Sequence, residues 1–178
     1  LDPNSGAYTV TQNAAIDHPD GLDENNVSFT VAYNVTDGDK DTAPGSIVIN
    51  VDDDTPTVGE NDMVQLDDDA LGGNPGGTGD DADAVNDSGT LAHSFGADGG
   101  SIAYDSAGAA ASEGGFTFVD GQNKSLLINQ GTTTVVTLTL DPNSGAYTVT
   151  QNAAIDHSDG LDENNVPFNV DYYVTDGD

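Results

Sequence analysis

Asp37-Gly38-Asp39-Lys40-Asp41 sets three carboxylates at alternate positions around a glycine. Where the chain bends, carboxylates at i, i+2 and i+4 can converge on one hard cation through their oxygens. An EF-hand is excluded, because no bidentate Glu follows at the twelfth position. A second acidic group is Asp20, Asp23 and Glu24, set among Asn25 and Asn26, and it returns later as Asp159, Asp162 and Glu163. These offer oxygen ligands, though the same residue types equally organise a loop through Asx turns. A third group is Asp52-Asp53-Asp54, placed to bind calcium between modules and stiffen a joint. Asp176-Gly177-Asp178 repeats the start of the first motif.

Composition points the same way. The formal charge is −30, from 32 acidic residues against Lys40 and Lys124. Two carboxylates about 6 Å apart repel by roughly 0.7 kcal/mol even in bulk water. Runs such as Asp52–Asp54, Asp67–Asp69 and Asp80–Asp81 therefore call for a counter-cation, and calcium is the expected one. This charge argues against nucleic acid as a partner and against an anionic membrane surface. Cysteine is absent, so metal ions rather than disulfides are the available staples. No apolar run approaches the length of a membrane span, so no membrane insertion is expected.

The elements that carry these residues read as strands. The first 39 residues return almost unchanged as the last 39, offset by 139, with five differences. A period of that length is a whole domain, so the chain reads as a stretch of a tandem array that starts and stops in mid-repeat. In Val27 to Thr36, Val27, Phe29, Val31, Tyr33 and Val35 share one face. Four differences (Ser28/Pro167, Thr30/Asn169, Ala32/Asp171, Asn34/Tyr173) all fall on the other face, as in a strand half-buried in a sandwich. Pro167 places the start of its strand at an edge or outside the ladder.

Further strands are predicted at Ser46–Val51, Thr90–Phe95, Ser101–Tyr104, Phe116–Val119, Lys124–Asn129, Val135–Leu140 and Ala146–Gln151. The last two form a hairpin around Asp141-Pro142-Asn143-Ser144-Gly145. No stretch has a helical period. The expected fold is all-β, an Ig-like sandwich of about seven or eight antiparallel strands with calcium-stabilised loops. Residues 1–57 read as the C-terminal part of one repeat and 58–178 as most of the next. Within the latter, 58–89 is a Gly/Asp-rich loop and 90–178 carries the sandwich strands. The second part lacks a counterpart of Ser46–Val51. Its open edge is predicted to accept that segment by β-augmentation, from the same or an adjacent chain.

Residues 7–57 and 146–178 resemble the long tandem repeat of large RTX-type adhesins exported by bacterial type I secretion. The resemblance rests on Ile16-Asp17-His18, on Thr36-Asp37-Gly38-Asp39-Lys40-Asp41-Thr42-Ala43, and on the junction Val51-Asp52-Asp53-Asp54-Thr55-Pro56. Lys40 stands where the family has a second glycine. The resemblance implies a calcium-stabilised, Ig-like extender on the bacterial cell surface. Such modules hold an adhesive tip away from the cell and support attachment and biofilm formation, with neighbouring repeats as partners.

The leading expectation is thus a calcium-dependent spacer, extracellular and without catalytic activity. The alternative is a calcium-dependent glycan- or surface-binding module, for which Tyr104 and Tyr173 are the candidate aromatic platforms. An enzyme built on Asp17-His18 lacks a nucleophile elbow, a zinc motif or a phosphate loop. The histidine reads instead as a turn residue bonded to its neighbours.

Overall fold

The computed structural model describes residues 1–19, 25–72, 82, 84–158 and 164–177. Among them the fold is an all-β sandwich of antiparallel strands. The strands are β1 (Asn26–Thr36), β2 (Thr42–Asp52), β3 (Thr57–Val58), β4 (Asn86–Thr90), β5 (His93–Ser94) and β6 (Gly100–Ala111). They continue as β7 (Phe116–Asp120), β8 (Leu126–Gln130), β9 (Thr133–Leu140), β10 (Ala146–Gln151) and β11 (Phe168–Asp176). The main sheet has the order β4-β10-β9-β8-β7, and β11 pairs with β6. β1 and β2 form their own ladder, and β3 pairs with β5.

The core lies between the main sheet and the β6–β11 pair. Leu126, Ile128, Val135, Val136, Leu138 and Val149 supply the buried side from the main sheet. Phe168 and Val170 of β11 pack onto them, and Phe168 meets the Phe116 ring edge to face at 5.0 Å. A second cluster joins Leu91, Ile102 and Leu140 to Tyr172 and Val174. The period-2 alternation of β11 is what turns Phe168, Val170, Tyr172 and Val174 inward while Asn169, Asp171 and Tyr173 face out.

Most strand predictions hold, several with longer ends, but Lys124–Asn129 starts only at Leu126, residues 86–89 of the expected loop belong to β4, and one strand is broken. Thr90–Phe95 is split, because β4 ends at Thr90 and β5 begins at His93. Between them Leu91 turns into the core while the Ala92 carbonyl accepts from Gly59 N–H at 2.9 Å and from the Tyr172 hydroxyl at 3.1 Å. The chain thereby leaves β10 and picks up β3. Pro167 sits just ahead of β11, and its carbonyl accepts from Ser112 N–H at 3.0 Å. In the Gly/Asp-rich stretch, Val64 and Leu66 pack on the core, and Asp68–Leu71 form a single 3-10 turn capped by Asp67.

The two copies of the repeated segment differ in cover. Phe29, Val31, Tyr33 and Val35 are 39 to 60 % exposed, whereas their equivalents Phe168, Val170, Tyr172 and Val174 pack against the core. The sequence of the face is the same in both. What differs is the presence of a sheet to lie on.

Candidate metal centre

The turn between β1 and β2 gathers Asp37, Asp39 and Asp41. Asp37 N–H donates to the Asp41 carbonyl at 3.0 Å, and Lys40 N–H returns to the Asp37 carbonyl at 3.3 Å. Inside this loop Asp37 Oδ1 accepts from the backbone N–H of Asp39 at 3.2 Å and of Asp41 at 2.9 Å. Closing the turn forces Lys40 to φ 81°, in the left-handed region that suits glycine. The result brings one carboxylate oxygen from each Asp within 4.8 Å of the others. All three residues are exposed.

The electrostatics of Asp37 follow from this crowding. A side-chain hydrogen bond with Asp39 holds its carboxyl below the ordinary value, helped by the backbone N–H groups of Asp41, Asp39 and Lys40. Carboxylates this close repel one another, and a cation among them would relieve that repulsion. Two oxygens at about 2.4 Å from one ion stand at most about 4.8 Å apart, so the cluster fits a shared cation with oxygen preference. Among the described residues this is the one group of three acidic or histidine side chains so disposed.

The linker acids do not converge. Asp52 Oδ1 accepts from the side-chain amides of Asn26 at 2.6 Å and Asn50 at 3.3 Å. Asp53 Oδ1 lies 3.4 Å from His18 Nδ1, both side chains being buried. Asp54 Oδ2 accepts from Ala97 N–H at 2.9 Å. Each carboxylate has its own partner, as alternation along an extended segment dictates. Asp176 ends β11 and belongs to no group of three possible ligands among the described residues. Asp20, Asp23, Glu24, Asp159, Asp162, Glu163 and Asp178 lie outside the described residues. Two described asparagines beside those acids make backbone contacts. Asn25 Nδ2 donates to the Pro19 carbonyl at 3.1 Å, and Asn164 Nδ2 to that of Ser158 at 3.5 Å.

The histidines correct the turn reading. His18 reaches Val51 and Asp53, and its repeat equivalent His157 lies with Nε2 3.3 Å from Asp68 Oδ2. Their partners come from distant stretches, so local sequence carried no sign of them. Asp68 also accepts from Ile155 N–H at 3.0 Å and from the Gln151 side chain, pinning the end of β10 to the 3-10 turn. The tyrosine platform loses one half. Tyr104 belongs to the core clusters, and burial first, then the nearby Tyr147, pushes its hydroxyl up to about 12. Tyr173 stays exposed.

Among the described residues no helix is long and apolar enough to cross a membrane. No curated protein and no solved structure matches this chain. Residues 1–50, which include the Asp37–Asp41 turn, are similar to a family described as a domain of unknown function (DUF5801).

Proposed function

We propose that this chain is a calcium-binding extender module of a large bacterial cell-surface adhesin, a spacer that calcium stiffens after export. The carrying observation is the turn in which Asp37, Asp39 and Asp41 bring their oxygens within 4.8 Å of each other, in a tandemly repeated chain of net charge −30. In the calcium-free state mutual repulsion loosens the turn and opposes close approach of one repeat to the next. With calcium bound, the ion neutralises the clustered carboxylates and fixes the hairpin. Extracellular calcium modules bind at about 10⁻⁴ to 10⁻³ M, weak enough to stay empty in a cytosol and fill outside. The resemblance to RTX-type repeats supports export by type I secretion and a role in attachment and biofilm formation. The competing glycan-binding reading is left with Tyr173 as its aromatic contact.

Calorimetric titration tests the assignment. Calcium should give saturable binding in the range above, and the double variant Asp39→Asn/Asp41→Asn should lose one site. Binding that is absent, or unchanged in the variant, would contradict this placement of the ion.

A further inference from the structure

Asp53 and Asp54 are consecutive, and their carboxylates serve different parts of the chain. Asp53 reaches back. Its Oδ1 lies 3.4 Å from His18 Nδ1 with both side chains buried, and its N–H donates to the Asn25 carbonyl at 3.0 Å. Asp54 reaches forward, where its Oδ2 accepts from Ala97 N–H at 2.9 Å. The step between them is also held, because Asp54 N–H donates to Asp53 Oδ1 at 2.9 Å. One peptide bond therefore separates the last anchor on the β1–β2 side from the first anchor on the sandwich.

Beyond Asp54 the chain keeps to the same neighbour. Thr57 and Val58 pair with Ser94 and His93 as the β3–β5 ladder. Gly59 N–H donates to the Ala92 carbonyl at 2.9 Å, and the Asn61 side-chain oxygen accepts from Ala92 N–H at 2.8 Å. These contacts all fall within 91–97, a stretch that Leu91 roots in the core. Pro56, between the first contact and the ladder, has its φ fixed by its ring. The receiving loop is shaped for the carboxylate. Gly96 takes φ 87°, and a Cβ there would stand 2.7 Å from the Asp54 carboxyl carbon. Both the backbone conformation and the space require glycine.

We infer that Asp53 and Asp54 form a latch that fixes the β1–β2 hairpin against the sandwich without a metal ion, Asp54 being its positioning residue. A run of three acids at a junction suggests a shared cation, but the geometry divides them. Each carboxylate spends its oxygens on protein donors of a different segment. A carboxylate accepting from a backbone N–H is a charge-assisted bond, stronger than a neutral one, and a chelator does not remove it. The latch is separate from the Asp37–Asp41 turn and holds whether or not that turn takes a cation. In a chain of charge −30 such a joint keeps its direction in calcium-poor surroundings, and the effect of calcium is confined to the hairpin.

Distance measurement between two spin labels on the intact chain tests the latch. The chain has no cysteine, so Val48→Cys on β2 and Thr117→Cys on β7, both exposed, accept the labels cleanly. In chelator the pair should give one narrow distance distribution that calcium leaves unchanged. Asp54→Asn retains an oxygen for the Ala97 N–H and should keep the distribution narrow. Asp54→Ala and Gly96→Ala should each broaden it and speed hydrogen exchange of the residue 97 amide about tenfold, with no recovery on adding calcium. The Thr148 and Val149 amides should stay protected in these variants, as the sandwich remains folded. A broad distribution in chelator would overturn the inference, and one that calcium narrows would make the joint a metal-built one. Asp54→Asn behaving as Asp54→Ala does, or either alanine variant leaving both readouts unchanged, would overturn it equally.

Discussion

Lys40 holds a left-handed backbone that costs an L-residue about 1–2 kcal/mol, and it places a positive charge beside three carboxylates. Lys40→Gly should relieve the strain, raise the thermal midpoint by a few degrees and tighten calcium binding; melting and titration of the variant check both. Asp37 gives a pH signature in chelator. Its carboxyl is held below the ordinary 3.8 in the folded chain, so the folded state binds that proton less readily than the unfolded state. The stabilisation is present above pH 3.8 and is lost as pH falls through the lower folded value. Asp37→Asn should flatten that acid limb. Tyr104 behaves oppositely. Raised from 10.0 to about 12, it contributes stability that is full below pH 10 and lost as pH rises toward 12. Spectrophotometric titration should show a late phenolate that Tyr104→Phe removes. At this scale the Asp37–Asp41 cluster was legible, because a loop of alternate acids closes on itself. The pairs His18–Asp53 and His157–Asp68 were not, since tertiary packing brings each together.

One sequence in two settings separates local from non-local encoding at the level of elements. Asp2–Gly6 and Asp141–Gly145 form the same turn, with Gly6 N–H donating to Asp2 and Gly145 N–H to Asp141, each at 2.9 Å. Their glycines take φ 72° and 69°. The turn is written in five residues. The residues that follow share a sequence, yet Ala146–Gln151 form β10 between β4 and β9 while 7–12 are not a strand. A strand needs partners, and only one copy has them. Hydrogen exchange should be fast at Thr9 and Val10 and slow at Thr148 and Val149. Glycines facing tyrosines were not foreseen. Gly89 lies opposite Tyr147 and Gly45 opposite Tyr33, each covered by the facing ring. A Cβ at Gly89 would stand 2.7 Å from the Tyr147 hydroxyl oxygen. Gly89→Ala should therefore destabilise by about 1–3 kcal/mol in chemical unfolding, the range for overpacking.

For the whole molecule, alternation and turn chemistry were enough to read an antiparallel sandwich. They could not say which strands share a sheet, because that depends on partners far along the chain. Nor could they reveal that the face carried by Phe29, Val31, Tyr33 and Val35 would stand uncovered while its duplicate is packed. At this scale the chain carries a charge of −30 that must be neutralised for repeats to lie close together. The proposed calcium site at the β1–β2 turn would join that need to the geometry of the hairpin. Thermal unfolding of the intact chain, in calcium at about a hundred times its dissociation constant and in chelator at equal ionic strength, tests this coupling most directly. Saturating calcium should raise the midpoint by roughly 5–10 °C, the size expected when a ligand at about a hundred times its dissociation constant binds only the folded state. Superimposable curves in the two buffers would contradict it.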